Sequence, residues 1–342
     1  MLLRSLDDLP ASLRGGAVAI GNFDGVHLGH AEIVARLVQM ARRLAAPAVV
    51  LTFDPHPARL LRPAEAPAPL TWTERKAELL GQLGADAVLA YPTTLEFLRQ
   101  EPREFFDQVV LGRLAARGLV EGRSFFFGRG RRGSVEVLGR FCAEAGIPLE
   151  VVEPMTVGDV AVSSSRIRQE ISAGRIDEAR GLLGRPHRIR GVVVAGRGRG
   201  KGLGYPTANL EQVDVLLPGE GIYAGQARLP QKTTHQPEAQ ARELLDSPPS
   251  LALRAGETVH PAALSVGPNP TFGETAAKVE AFVLDYRADL YGQTIEIDFL
   301  ARLRDIRKFE SAGELAAQMA RDVEQTRQIA AGVPDHAPRP SH

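Results

Sequence analysis

"GAVAIGNFDGVHLGHAEIVARLVQMARRLAAPAVVLTF", residues 16–53, contains an apolar run, a stretch with helical spacing and a second apolar run. Ile33, Leu37, Met40, Ala41 and Leu44 recur at helical intervals, and the flanking runs are the length of buried strands. Strand, helix, strand is the opening of a parallel α/β sheet. Gly21, Gly25 and Gly29 stand where the first strand hands over to the helix, so the backbone turns tightly there and admits a ligand closely. With a helix predicted to start near His27, His27 and His30 fall on one face of its first turn. Backbone N–H groups and the helix dipole favour an anion at such a junction, and two imidazoles facing it point to phosphate.

Two other readings compete at that junction. Either histidine alone is more often a cap or a surface residue, and an i,i+3 pair also suits two zinc ligands. Zinc needs further ligands, and His56 and Cys142 lie in separate segments without ligand spacing.

Helix-then-strand units recur at "ERKAELLGQLG" with "ADAVLAYP", and at "VLGRFCAEAG" with "IPLEVVEP", so the first half reads as a doubly wound Rossmann-like sheet. From about residue 187 the segments "HRIRGVVVAG", "GIYAGQARL", "PAALSVG", "KVEAFVLDY" and "QTIEIDFLARL" are short and β-rich between Gly and Pro turns. That texture predicts a β-barrel or sandwich, with "SAGELAAQMARDVEQTRQIAA" as a closing amphipathic helix. The expected organisation is residues 1–184, residues 185–330 and a disordered tail at 331–342, with a polar surface insertion at 230–261.

Lys+Arg and Asp+Glu both number 41, so bulk attraction to nucleic acid or anionic lipid is not expected and any polyanion site is local. One cysteine excludes an internal disulfide, and no apolar run reaches the ~18 residues of a membrane span. A soluble cytoplasmic protein, monomeric or weakly homo-oligomeric and without nucleic-acid or membrane partners, is the expectation.

Gly128-x-Gly130-x-x-Gly133, with Glu150 further on, has the outline of a dinucleotide fingerprint, but it is not at the first βαβ unit and three arginines crowd it. "GVVVAGRGRGKGLGYPTANL", residues 191–210, fails as a Walker loop, because Ala195 replaces its first Gly and Gly202 follows Lys201.

"GNFDGVHLGH" resembles the HxGH signature of nucleotidylyltransferases, in the form carried by prokaryotic bifunctional FAD synthases, which combine FMN adenylyltransferase and riboflavin kinase. "LTFDPHP", residues 51–57, and "VSSSRIRQEI", residues 162–171, resemble further family segments in the same order. For the first domain the resemblance implies ATP contacts from Gly21, Asn22, Phe23, Asp24, Gly25, His27, His30, Ser164, Ser165 and Arg168. It implies flavin contacts from Phe53, His56, Ser124, Phe127 and Gly128, Ser124 standing where many members carry Asp or Asn.

The 191–210 stretch resembles the riboflavin kinase signature, which implies ATP binding through Gly196, Gly200, Gly204, Pro206, Thr207 and Asn209. Thr207 and Asn209 would also ligate Mg²⁺, Glu280 would be the base toward riboflavin, and Arg304 would help close the flavin site. Read from strand alternation alone, Glu280 is instead a solvent-facing strand residue. Arg166 and Arg168 near a helix start oppose the dipole, a penalty that a bound polyphosphate would reverse.

Rival functions are a nucleotidylyltransferase with another phosphate acceptor, which needs no second domain, and a flavin-binding protein without chemistry. A dinucleotide oxidoreductase would rest on the Gly128 loop alone.

Overall fold

The computed structural model describes residues 1–195, 204–230, 257–268 and 278–332. Gly196 and Gly200, most of the 230–261 insertion and all but the first two residues of the 331–342 tail lie outside them. Two compact units divide the chain, Met1–Ser163 and Ser164–His342.

The first unit contains β1 (Leu2–Leu3), β2 (Ala17–Ile20), α1 (Leu28–Leu44), β3 (Ala48–Asp54), α2 (Pro57–Leu61), α3 (Thr73–Gln82) and β4 (Ala87–Pro92). It continues with α4 (Pro102–Phe105), β5 (Gly118–Gly122), β6 (Phe126–Phe127), β7 (Gly133–Ser134), α5 (Val135–Ala145), β8 (Leu149–Val152), β9 (Thr156–Val157) and β10 (Val160–Ala161). Six strands form one sheet in the order β1-β4-β3-β2-β5-β8. Every pairing in it is parallel, as the doubly wound reading requires.

All four residues of β2 are buried because helices cover both sheet faces. Helix α1 buries Val34, Leu37, Met40 and Ala41, while Ile33 and Leu44 of the expected stripe are half-buried against the same cluster. A Cβ on Gly118 would lie 2.5 Å from Met40 Sδ, so glycine lets α1 lie close on β5. Successive strands leave β2 first on its β3 side and then on its β5 side. The topological switch point, where ligands bind in such sheets, is therefore between the carboxyl ends of β2 and β5.

The second unit opens with α6 (Ser164–Ser172) and α7 (Ile176–Leu183) and continues with β11 (His187–Val194), β12 (Ala208–Glu211), β13 (Gly221–Pro230), β14 (Glu257–Gly267), β15 (Lys278–Val283), β16 (Thr294–Arg304) and α8 (Ala312–Ala331). Its strands close a barrel in the order β11-β12-β15-β14-β13-β16, all antiparallel. Strand β11 alternates buried and half-buried residues along its length, as a barrel wall must. Ser311 caps α8 by accepting from Glu314 N–H at 3.2 Å.

The division falls 21 residues (184 − 163) ahead of the boundary suggested by the change in texture at residue 184. Packing is the reason. Gly219 N–H donates to Ile171 O at 3.0 Å, and a Cβ on Gly219 would lie 2.5 Å from Ser172 O, so α6 rests on the loop that enters β13.

Candidate functional site

The β2–α1 junction holds both histidines as the motif spacing predicts. His27 is the N-cap of α1, its Nδ1 accepting from His30 N–H at 3.3 Å, which leaves Nε2 to carry the ring proton. The two rings stack at 3.6 Å between centroids and 14° between planes. Phe23 backs His30 at 5.1 Å, and is itself buried. The turn is bent sharply, with positive φ at Phe23 (45°), Gly25 (86°) and Val26 (39°). Left-handed backbone at a β-branched residue is costly and persists only where the surroundings hold it.

Part of that hold comes from Asp24, expected among the ATP ligands. Its buried carboxylate accepts from Leu70 N–H at 2.9 Å and Thr71 N–H at 3.2 Å, so it braces the turn against the segment that leads into α3. Asn22 Oδ1, in contrast, is buried without a hydrogen-bond partner among the described residues, which suits an atom awaiting a ligand.

Beside the turn, β2 and β5 pair only through Ala17–Gly118 and Val18–Leu119. Where they part, Glu121 Oε1 accepts from Ile20 N–H at 2.8 Å in place of a ladder bond. Burial pushes the Glu121 carboxyl well above its usual range, with the Ile20 bond opposing. It also helps drive the Cys142 thiol up to about 11, after the larger effect of that thiol's own burial.

The residues that the motif implies for the flavin lie at the carboxyl edge of the same sheet and in the loops beyond it. Phe53, at the end of β3, packs 5.9 Å from Phe97; Phe97 meets Tyr91 at 4.6 Å and Phe105 at 5.8 Å. Phe105 reaches Phe127 at 5.8 Å, and Phe127 stacks on Phe125 at 5.4 Å. Tyr91, Phe97, Phe105 and Phe125 were not picked out from the sequence; only spacing of aromatics across four segments signals them. His56 caps α2, its Nδ1 accepting from Ala58 N–H at 3.1 Å. Ser124 is on the exposed turn between β5 and β6, and Gly128 follows β6 with φ 69°. The Gly128–Gly133 loop joins the short antiparallel pair β6–β7, not a sheet strand to a helix, and Glu150 pairs with Arg43 at 3.0 Å. The dinucleotide outline is thereby overturned.

In the second unit, Ser164, Ser165 and Arg168 occupy the first turns of α6. Arg166 Nε lies 2.5 Å from Oε1 of Glu170, a fully buried residue that also bonds Arg175. Its charge therefore has an internal partner and needs no polyphosphate to offset the dipole.

The barrel wall brings three widely separated residues together. Asn209 on β12 stands directly opposite Glu280 on β15, and Ser265 on β14 stands opposite Glu280 on its other side. Directly paired residues face the same way, so all three project from one face. Thr207 Oγ1 donates to Glu280 Oε2 at 3.4 Å. Val279, Ala281 and Val283 are buried while Glu280 is half-buried, so the alternation reading is right about the face. Gly204 and Pro206 lead into this cluster, Gly204 with φ 84°. Hydroxyl, amide and carboxylate oxygens are the donors a hard cation with phosphate ligands takes, so the set fits Mg²⁺.

Arg304 is partnered within the barrel unit. Its guanidinium donates to Asp322 on α8, Nη2 to Oδ2 at 2.7 Å and Nε to Oδ1 at 3.1 Å, tying the closing helix to β16.

A strained strand–helix turn bearing two histidines at the switch point of a parallel sheet, in one chain with a barrel bearing a hydroxyl–carboxylate cluster, is the outline of a two-unit nucleotide-dependent transferase. The FAD synthetase family model matches residues 9–166, and the riboflavin kinase model matches residues 183–330. The bifunctional riboflavin kinase/FMN adenylyltransferase of Escherichia coli K12 is 31% identical, covering 94% of this chain and 95% of its own. That of Listeria monocytogenes is 32% identical, covering 93% of each. A crystal structure described as a macrolide-efflux protein from Streptococcus pneumoniae superposes with a TM-score of 0.78 at 28% identity, covering 96% of this chain and 98% of that one. No helix among the described residues is long and apolar enough to cross a membrane. The chain belongs to the bifunctional riboflavin kinase/FMN adenylyltransferase family.

Proposed function

We propose that the two reactions of the family, riboflavin to FMN and FMN to FAD, each with ATP, divide between a first domain of residues 1–184 and a second of residues 185–330. The domain limits rest on the motifs and on the family matches, which end at residue 166 and resume at residue 183.

The kinase reading is carried by the meeting of Thr207, Asn209 and Glu280. Riboflavin's terminal hydroxyl is a poor nucleophile at neutral pH. Glu280 takes its proton as the oxygen attacks the γ-phosphorus and the bond to the β-phosphate oxygen breaks, a service worth ~10² to 10⁴ in rate. Thr207 and Asn209 would hold Mg²⁺ with the ATP phosphates, where the cation would offset phosphate charge. Arg304, which the motif places at the flavin site, is tied to Asp322 of α8.

Adenylyl transfer needs no base, because the FMN phosphate is already largely ionised near pH 7. Its oxygen attacks the α-phosphorus and pyrophosphate leaves, so alignment and charge stabilisation are the work to be done. The Nε2–H of His27, the ring of His30 and the backbone around Gly21 and Gly25 suit ATP phosphates, while Asn22 Oδ1, an acceptor, suits a hydroxyl or amino group of the nucleotide. The aromatic series from Phe53 to Phe127 suits an isoalloxazine ring. The pyrophosphate role of Ser164, Ser165 and Arg168 rests on the motif. We place the enzyme in the cytoplasm, acting on small molecules.

Chromatographic separation of products from riboflavin, ATP and Mg²⁺, beside a reaction started from FMN, tests this directly. FMN and FAD from the first and FAD from the second are expected. Absence of FAD from both reactions would overturn the adenylyl half, and absence of FMN the kinase half.

A further inference from the structure

Lys76, on α3, is only 7% exposed. A buried ammonium is costly, and an apolar residue of the same length would pack there without that cost. Its Nζ donates to Thr52 Oγ1 at 3.3 Å, and Thr52 Oγ1 in turn donates to Asn22 O at 3.0 Å. The relay thus ends on the backbone of the strained turn that carries His27. The rest of the same segment holds the same turn. Thr71 Oγ1 accepts from Gly25 N–H at 3.3 Å, and Leu70 and Thr71 bind Asp24. Thr73 Oγ1 donates to Asp54 Oδ2 at 2.7 Å, at the end of β3 just before His56. Residues 70–76 therefore clasp both motif-bearing loops at once.

We propose that Lys76 is a positioning residue for adenylyl transfer: through Thr52 it fixes the carbonyl of Asn22, and with it the left-handed turn that aims His27 and His30. The inference rests on the first unit being the FMN adenylyltransferase. The charges facing Lys76 are Asp24 on the turn and Asp54 on β3. Beyond them, Arg4 lies 3.6 Å from Asp54 and also bonds Glu74, while Arg75 pairs with Glu78 at 2.8 Å. Burial lowers the Lys76 pKa, with Asp24 and Asp54 opposing. Raising the pH thus deprotonates it earlier than an ordinary lysine, and the turn loses its charged anchor.

The test uses the full chain with FMN, ATP and Mg²⁺; an unchanged KM for FMN is the control that the first unit is folded, and riboflavin phosphorylation in the same preparation is the control for the second. Lys76→Met should lower kcat for FAD formation about 100-fold, the scale of a displacement near 1 Å, and leave FMN formation unchanged. The wild-type kcat should fall along an alkaline limb that Lys76→Met lacks. Thr52→Val, close to isosteric, should lower kcat in the same direction and lose that limb as well, because the relay from Lys76 to Asn22 runs through the Thr52 hydroxyl. It decides the matter if Lys76→Met does not fold. Lys76→Met with wild-type kcat, or retaining the wild-type limb, overturns the proposal, as does Thr52→Val with wild-type kcat. Wild-type protein that forms FMN but no FAD overturns the underlying reading, and the inference falls with it.

Discussion

The β2–α1 turn and the barrel wall carry the two sites proposed to meet ATP, yet they are built on opposite principles. The turn is irregular backbone at the edge of a parallel sheet, with three left-handed residues held in place by Asp24, Thr52 and Lys76. The wall needs no such support. Antiparallel register alone sets Asn209 and Ser265 opposite Glu280, and strand alternation turns all three outward. A site made by register tolerates changes beneath it, whereas a site made by a strained turn depends on buried polar groups that never touch substrate.

The largest expected effect breaks the wall alone. Glu280→Gln should cut riboflavin phosphorylation by ~10² to 10⁴ while FAD formation from FMN stays at the wild-type rate, measured on one preparation. Equal loss of both would erase the distinction between the two sites.

Next comes a change behind the wall. Arg304→Met leaves the buried Asp322 carboxylate with only the neutral Gln318 amide as donor and should cost about 3 kcal/mol in barrel stability by denaturant unfolding. Arg304→Met together with Asp322→Leu should recover much of it. A direct flavin role for Arg304 would instead leave kinase KM raised in the stabilised double variant.

On the turn, His30→Ala should lower FAD formation by ~10² to 10³, the usual cost of removing one charge-stabilising donor, with kinase activity retained. His27→Ala should add the loss of a helix cap, about 1 kcal/mol of stability, visible as a lower unfolding midpoint than that of His30→Ala.

The smallest effect sharpens the comparison through Glu121. Because its folded pKa is raised, the folded first unit keeps a proton that the unfolded chain releases above the ordinary carboxyl range. Folding is therefore weakened as pH rises from that range towards the folded pKa. Glu121→Gln retains an acceptor for Ile20 N–H without that penalty. Its thermal midpoint should exceed the wild-type value at neutral pH, and the gap should close as the pH falls towards the ordinary carboxyl range.

Much of the architecture is legible from short-range rules. The strand–helix–strand opening, the histidine pair at i,i+3, the two fold classes and the closing helix all follow from periodicity and turn chemistry within some twenty residues. Sequence likewise marked Thr207, Asn209 and Glu280, though only a motif, not spacing, joined residues 73 positions apart.

Packing, in contrast, set which internal partners the marked residues meet. Asp24 turned inward to Leu70 and Thr71, Arg304 to Asp322, and Arg166 to Glu170, because each meets a partner supplied by packing. Lys76 and Glu121 gave no sign in the sequence. A lysine in an amphipathic helix reads as solvated, and a glutamate in an apolar strand reads as a surface break. Their burial follows from where α3 and β5 lie in the sheet, and strand order across a switch point is a long-range property that no local pattern encodes.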